Sequence, residues 1–173
     1  MSSIVMKKPR VLQSARAIIM GSHNGTPEFL LGQRSKVTTN RHQRMLECFG
    51  GTLLDKDGRF SKGLFRENLE ETGIKINKVI SEVYTEHRKW EANGSAEAEY
   101  DEYEVKFFLV DTPTIKEVRL SPEHSGYGWF PMPFILLNKK VIRPSTHRAF
   151  EVFCKEFDPV KIAALLTVNP KHH

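Results

Sequence analysis

Three glutamates, Glu67, Glu70 and Glu71, fall close together directly behind Arg66. Glu67 and Glu71 are one helical turn apart, so on a helix their carboxylates share a side. Like charges at that spacing repel by roughly 0.2–0.5 kcal/mol per pair, and Arg66, four residues before Glu70, offsets part of this. A hard divalent cation would reverse the balance. Magnesium prefers carboxylate oxygen, keeps several waters and bridges to substrate phosphates. In such a site Glu67 and Glu71 would hold the ion, and Glu70 would add a ligand or shape the site. A carbonyl from Gly50 could complete it, because glycine lets the Gly50-Gly51 turn approach closely. The alternative is a solvated charged helix face of the kind many surface helices carry.

The elements that must position these groups can be read from the surrounding pattern. A helix is expected over Lys62 to Thr72, stopped by Gly73. Leu64, Phe65, Asn68, Leu69 and Thr72 are assigned to one side of it and the glutamates to the opposite side. Before it, residues 11–20 favour a strand with its apolar end buried. Asn24-Gly25 signals a turn, and Glu28 to Gln33 returns as the second arm of a hairpin. Met45 to Phe49 reads as a short strand feeding the glycine pair. After the helix come strands over Ile76 to Glu86 and Tyr100 to Val110. They are joined by a polar loop centred on Asn93-Gly94, with Trp90 and Tyr100 able to stack on a base or simply to pack. Phe134 to Leu137 begins a short helical piece. Pro144 opens a long helix capped by Ser145 or Thr146, with Ala149, Phe150, Phe153, Cys154 and Phe157 as its packing stripe. Asp158-Pro159 starts a further helix to about Thr167, apolar almost all round, which suggests packing on the body or on a second subunit.

With 173 residues, 39% hydrophobic and 27% charged, the chain suits one soluble domain over 1–173, with 1–10 a flexible N-terminal segment. No apolar run reaches the length of a membrane span, and no secretory signal is evident, so a cytoplasmic protein is expected. Cys48 and Cys154 form no metal motif and read as small buried side chains. A formal charge of +5 and a pI near 9.2 favour anionic partners. A phosphorylated small molecule satisfies that. Nucleic acid would too, but no zinc finger, glycine-rich RNA motif or dense arginine stripe is present. Arg34, the polar loop Ser35 to Arg44 and the Arg88-Lys89 pair are candidates to hold phosphate charge, against the reading that they are ordinary solvated cations.

The segment Gly50 to Ile76 resembles the signature of the Nudix hydrolases, G-x5-E-x7-R-E-U-x-E-E-x-G-U with U apolar. Arg66, Glu67, Glu70, Glu71, Gly73 and Ile74 fit its second half in register. The first half departs. Counting back from Arg66 puts Gly58 where the family has its first, loop-ordering glutamate, and Thr52 where it has its glycine. Asn68 replaces an apolar residue. Leu30-Leu31-Gly32-Gln33-Arg34 also looks similar to the end of the family's hairpin, and the likeness extends weakly over about residues 12 to 155.

The resemblance implies an α+β fold, an α/β/α sandwich with a mixed central sheet, and hydrolysis of a diphosphate bond in a nucleoside diphosphate derivative with Mg2+ or Mn2+. It implies Glu67, Glu70, Glu71 and the Gly50 carbonyl as metal ligands. Glu123, six before Trp129, resembles an extra ligand or general base, and Arg66 the arginine that holds a helix glutamate. Glu47, just before the glycine pair, resembles a residue that helps the metal or substrate site, with a cross-strand surface role as its alternative. Arg34, Arg44, Glu47 and Arg88 are thus the substrate-binding candidates. His124 reads as an incidental loop histidine. An RNA 5′ end is an open substrate and a homodimer an open assembly. The rival functions are an inactive Nudix-fold domain that binds nucleotide or protein, favoured by Gly58 and Asn68, and a nucleic-acid binder.

Overall fold

The computed structural model describes residues 10–36, 42–89, 101–113 and 115–161. The N-terminal segment, Arg41, the proposed stacking pair Trp90 and Tyr100, the loop between them, the last helix beyond Lys161, and His172-His173 lie outside the described residues.

The order of elements is β1 (Val11–His23), β2 (Thr26–Arg34), β3 (Leu46–Glu47), α1 (Phe60–Thr72), β4 (Lys78–Lys89), β5 (Glu102–Asp111), β6 (His124–Pro131), α2 (Met132–Leu137) and α3 (Pro144–Glu156). The sheet runs β3-β2-β1-β5-β4, with β6 paired to β2. β1 lies parallel to β5, while β1–β2, β2–β3, β2–β6 and β4–β5 are antiparallel, so the sheet is mixed. β1 is its central strand and is buried continuously from Ser14 to Met20, as expected of a strand covered on both faces.

The two faces carry separate cores. Ala15, Ala17, Ile19, Leu30, Phe49, Phe108 and Val110 pack with Leu64 of α1. Ile18, Met20, Phe29, Leu31, Val105, Phe107 and Leu109 pack with Ala149, Phe150 and Phe153 of α3. Successive strand residues alternate between the faces, so a helix covers each, and the layers are α/β/α.

What positions the site is a splay between β1 and β2. The Asn24-Gly25 turn, with both residues at positive φ (50° and 78°), closes a hairpin whose pairing extends only from His23–Thr26 to Met20–Phe29. Beyond that the strands part. The chain at 46–52 fills the gap, bonding to β2 through Leu46 and Glu47 and to β1 through the bridges Ala17–Phe49 and Ser14–Thr52. The strand expected over Met45 to Phe49 is therefore only two residues of regular ladder.

Several local expectations are corrected. The N-cap of α3 is Arg143, with Pro144 in the first turn and no side-chain cap. Thr146 instead sits inside, its hydroxyl accepting the Cys48 N–H at 3.4 Å. Cys154 is exposed, whereas Cys48 is buried. Leu69 is 53% exposed rather than part of the inward side of α1. The cap expected after α3 is present: the Asp158 carboxylate accepts the Val160 and Lys161 N–H groups at 3.0 and 3.3 Å. No helix among the described residues is long and apolar enough to cross a membrane.

Candidate active site

Helix α1 ends at Gly73, left-handed at φ 71°, whose N–H returns to the Leu69 carbonyl at 2.9 Å. Asn68 and Thr72 tie down the chain that follows. Asn68 Nδ2 donates to Ile74 O at 2.7 Å, and Thr72 Oγ1 accepts the Ile74 N–H at 3.0 Å. That is why a polar residue stands at 68 in place of an apolar one: it is fully buried and bonded to backbone.

The glutamates do not share one outward face. Glu71 follows Leu64 by seven residues, nearly two full turns, and so points to almost the same azimuth. It is buried, 5% exposed, and its Oε2 accepts the Gly50 N–H at 2.6 Å. Burial pushes its carboxyl up to about 7, against the field of Arg16 and the Gly50 N–H, which favour the charged form. Glu67 is half-buried, and its carboxylate lies over Gly51 so closely that a Cβ there would stand 2.6 Å from Glu67 Cδ. Burial raises its pKa too, while Arg66 Nη1, at 2.8 Å from Oε1, opposes the rise. Glu70 is exposed and bound to Arg66 at 3.0 Å.

Gly50 is a position only glycine fills. Its φ is +126°, and an added Cβ would run into the Ala15 carbonyl oxygen, with Arg16 Cα at 3.0 Å. The flanking carbonyls of Phe49 and Gly51 accept the Ala17 and Ala15 N–H groups at 2.8 and 3.0 Å.

Arg66 is held by a residue that the signature does not point to. Asp57, in a short 3-10 turn at Asp55–Asp57 and 5% exposed, accepts Arg66 Nε at 3.1 Å, Arg66 Nη2 at 2.8 Å and the Leu54 N–H at 2.8 Å. Arg66 also reaches Thr52 O at 3.1 Å. The hydrogen bonds from Arg66, then that from Leu54, hold the Asp57 carboxyl down at about 2. The acid missing at Gly58 is thus supplied one residue earlier. The visible cue is an aspartate at 57 followed by glycine at 58, whose φ of +63° turns the chain into the helix.

A second polar centre fills the splay. Glu47, 1% exposed, is bonded to Arg143 Nη1 and to Arg34 Nη1 at 2.9 Å, with Arg16 Nη1 at 4.0 Å and His124 Nε2 at 3.4 Å. Burial opposes its ionisation, but Arg16, then His124, Arg143 and Arg34, hold it well below the usual carboxylate range. A surface role for Glu47 is ruled out by that burial. His124 is not an incidental loop residue either: it begins β6 with its side chain fully enclosed against Phe49, ring centroids 4.9 Å apart.

The remaining candidates are scattered. Glu123 is exposed, its carbonyl accepting the Ser35 N–H at 2.8 Å. Arg44 is exposed at φ 62°, fixed through its backbone to Arg34 and Gln33. Arg88 joins Glu86 and Arg148 where β4 meets α3, a cluster apart from the helix glutamates. Among the described residues no group of three or more His, Cys, Asp or Glu stands ready-made around a metal position. Glu67 and Glu71 nonetheless fit a hard divalent cation. They are oxygen donors one turn apart beside the glycine pair, and burial leaves their negative charge under-compensated.

Residues 11–149 match the NUDIX domain. No curated protein matches the chain by sequence. Among solved structures the chain is similar to the MutT protein from Methanosarcina mazei Go1, at 23% identity and TM-score 0.68 over 87% of this chain and 97% of that one. It is also similar to a C. elegans Ap4A hydrolase in a binary complex, at 22% identity and TM-score 0.59 over 84% and 99%. A third is the NUDIX domain of Shewanella oneidensis NrtR complexed with ADP ribose, at 15% identity and TM-score 0.64 over 89% and 92%. At such identities these structures establish the fold.

Proposed function

The chain belongs to the NUDIX family, a Nudix-type pyrophosphohydrolase, and from that premise we propose that it cuts a diphosphate bond in a nucleoside diphosphate derivative with Mg2+ or Mn2+. The observation that carries this is the pair Glu71 and Glu67, one buried against the Gly50 N–H and the other lying over Gly51. A divalent cation bound there would neutralise phosphate oxygens and acidify the attacking water. Glu67, Glu71 and the Gly50 carbonyl would hold it, and exposed Glu70 would extend the donor set toward solvent. Arg66 positions Glu67 and Glu70 and is itself fixed by Asp57. Glu123, exposed just before β6, is the candidate to take the water's proton. Arg34 and Arg44 would face the substrate's phosphates. An Ap4A hydrolase and an ADP-ribose complex among the similar folds favour a nucleotide over other phosphate esters. Two free thiols suit a reducing, cytoplasmic compartment.

The test is Glu71→Gln and Glu67→Gln, assayed by magnesium titration against ADP-ribose, Ap4A, nucleoside triphosphates and capped RNA. Nucleoside monophosphate or inorganic phosphate should appear only with metal, and each variant should lose at least about 100-fold in kcat/KM with its Tm nearly unchanged. Glu71→Gln turning over substrate like the parent would refute the assignment. The second reading is a domain that binds nucleotide without cutting it. It is favoured by the absence of a ready-made three-ligand cluster among the described residues, and it predicts binding with no metal-dependent product.

A further inference from the structure

The environment of Glu47 holds more positive charge than its own carboxylate can balance. Arg16, Arg34 and Arg143 all lie within 4.0 Å of that one group, with side chains only 10%, 14% and 15% exposed. Glu71, held by the Gly50 N–H, is the other carboxylate whose field acts on Arg16 and offsets part of that charge. Polar atoms are also left over. Arg34 Nε and His124 Nδ1 are buried without a hydrogen-bond partner among the described residues, and His124 Nε2 stands 3.4 Å from Glu47 Oε1 without the alignment of a hydrogen bond. Among the described residues the Arg16 guanidinium has only a long bond to Cys48 O, at 3.4 Å. Buried cations and donors without partners are costly, and a group that binds only when ligand arrives is one reason to retain them.

The placement suits a ligand. Arg16 lies on β1 directly beside the glycine pair, Arg34 ends β2, and Arg143 caps α3. The three guanidiniums therefore come from three elements and converge where β1 and β2 part, next to the glycine turn that Glu67 and Glu71 contact from α1. Guanidinium is the side chain best matched to phosphate oxygens, through paired, charge-assisted N–H donors.

We propose that Arg16, Arg34 and Arg143 around Glu47 form an anion subsite that takes a phosphoryl group of the substrate. Glu47 is then a positioning residue. It gathers the guanidiniums in the empty protein and competes with the ligand for them, so the site's affinity is set by one internal carboxylate. The chemical class selected is a phosphate chain with a charged group beyond the one attacked. The inference rests on the hydrolase reading only for the substrate's identity, because anion binding needs neither turnover nor metal.

The experiment is binding of pyrophosphate, ADP and inorganic phosphate to the full chain in EDTA, followed by calorimetry and by the Nε–Hε signals of the 15N-labelled arginines. Pyrophosphate and ADP should shift the Arg16, Arg34 and Arg143 signals of the wild type. Arg143→Met should weaken that binding by at least about tenfold, and Arg143→Lys by less. Glu47→Gln should bind pyrophosphate more tightly than wild type, an outcome that a purely structural role for Glu47 would not produce. Wild-type spectra unmoved by pyrophosphate and ADP would overturn the proposal even if every variant fails to fold. So would binding indifferent to Arg143→Met, or inorganic phosphate binding as tightly as ADP, which would mark a free-phosphate site. A protein that binds in this way but never hydrolyses would sink the hydrolase reading alone.

Discussion

The two glycines before the helix should respond to the same substitution in opposite ways. At Gly51 the atoms nearest an added Cβ all belong to the Glu67 carboxylate, with Oε2 at 2.3 Å and Cδ at 2.6 Å. Reaching the 3.4 Å at which ordinary contact begins requires Oε2, the nearest atom at 2.3 Å, to retreat by about 1.1 Å, and a glutamate head group can do that by small rotations. Gly51→Ala should therefore cost no more than about 1 kcal/mol, about 2–4 °C in Tm for a chain of this size. Its catalytic cost should be much larger, because misplacing a group at the reacting centre by about 1 Å can lose about 100-fold in rate. At Gly50 the obstacle is the Ala15 carbonyl on the neighbouring strand, and φ is +126°. Nothing there yields without moving backbone, so Gly50→Ala should cost about 3 kcal/mol or more, about 6–12 °C. The assay is thermal unfolding of both variants beside kcat/KM across a magnesium titration at room temperature. If Gly51→Ala kept the parent's rate and metal dependence while folding normally, the Glu67 carboxylate could not be part of the working site. If Gly50→Ala were as stable as Gly51→Ala, the close approach of this turn to β1 would be refuted.

Asp57→Asn keeps an acceptor for the Leu54 N–H but loses the charge that locks Arg66. It should reduce kcat/KM by about 10–100-fold, as loss of an orienting partner does, and shift the magnesium titration to higher concentration. Glu47 has its pKa depressed in the folded protein, so its ionisation stabilises the fold above the ordinary value of 4.5 that it takes when unfolded. That contribution is lost as pH falls through the lower, folded value. Denaturant midpoints measured from neutral pH down into the acid range should fall less steeply in Glu47→Gln than in wild type. On the opposite face, Phe150 meets Phe29 edge-on at 4.9 Å in a fully buried setting. Phe150→Ala should cost about 3–5 kcal/mol while leaving kcat at low temperature close to the parent's, since α3 does not carry the helix glutamates.

The regular frame was legible because local chemistry alone specifies it. Residues 11–20 read as a strand with its apolar end buried, and the Asn24-Gly25 pair beside it signals the hairpin turn; the structure extends that burial back to Ser14, polar Arg16 included. Gly73 and Pro144 punctuate their helices as their backbone constraints require. The errors arose where local pattern and spatial destination part. Thr146 looked like a cap after proline, but a buried Cys48 N–H ninety-eight residues earlier needed its hydroxyl. The glutamates looked like one face because charge was used to group them. Rotation by about 100° per residue sends Glu71 inward beside Leu64 and leaves Glu70 in solvent.

The site's hidden partners share one cause. Arg16, Arg143 and His124 reach Glu47 from three separate elements, and no spacing in a linear pattern encodes such convergence. Gly58 is the sharper case. Counted by position it marks an acid that is absent, and on that ground the chain could pass for a degenerate, inactive copy. The carboxylate of Asp57 arrives at Arg66 all the same, because the 3-10 turn at Asp55–Asp57 winds the chain inward one residue early and glycine at 58 accepts the left-handed conformation that follows. What Arg66 requires is a carboxylate head group at hydrogen-bonding distance rather than an acid at a fixed count. The apparent defect in the signature is therefore a shift of one position, and the orienting pair behind Glu67 and Glu70 is intact.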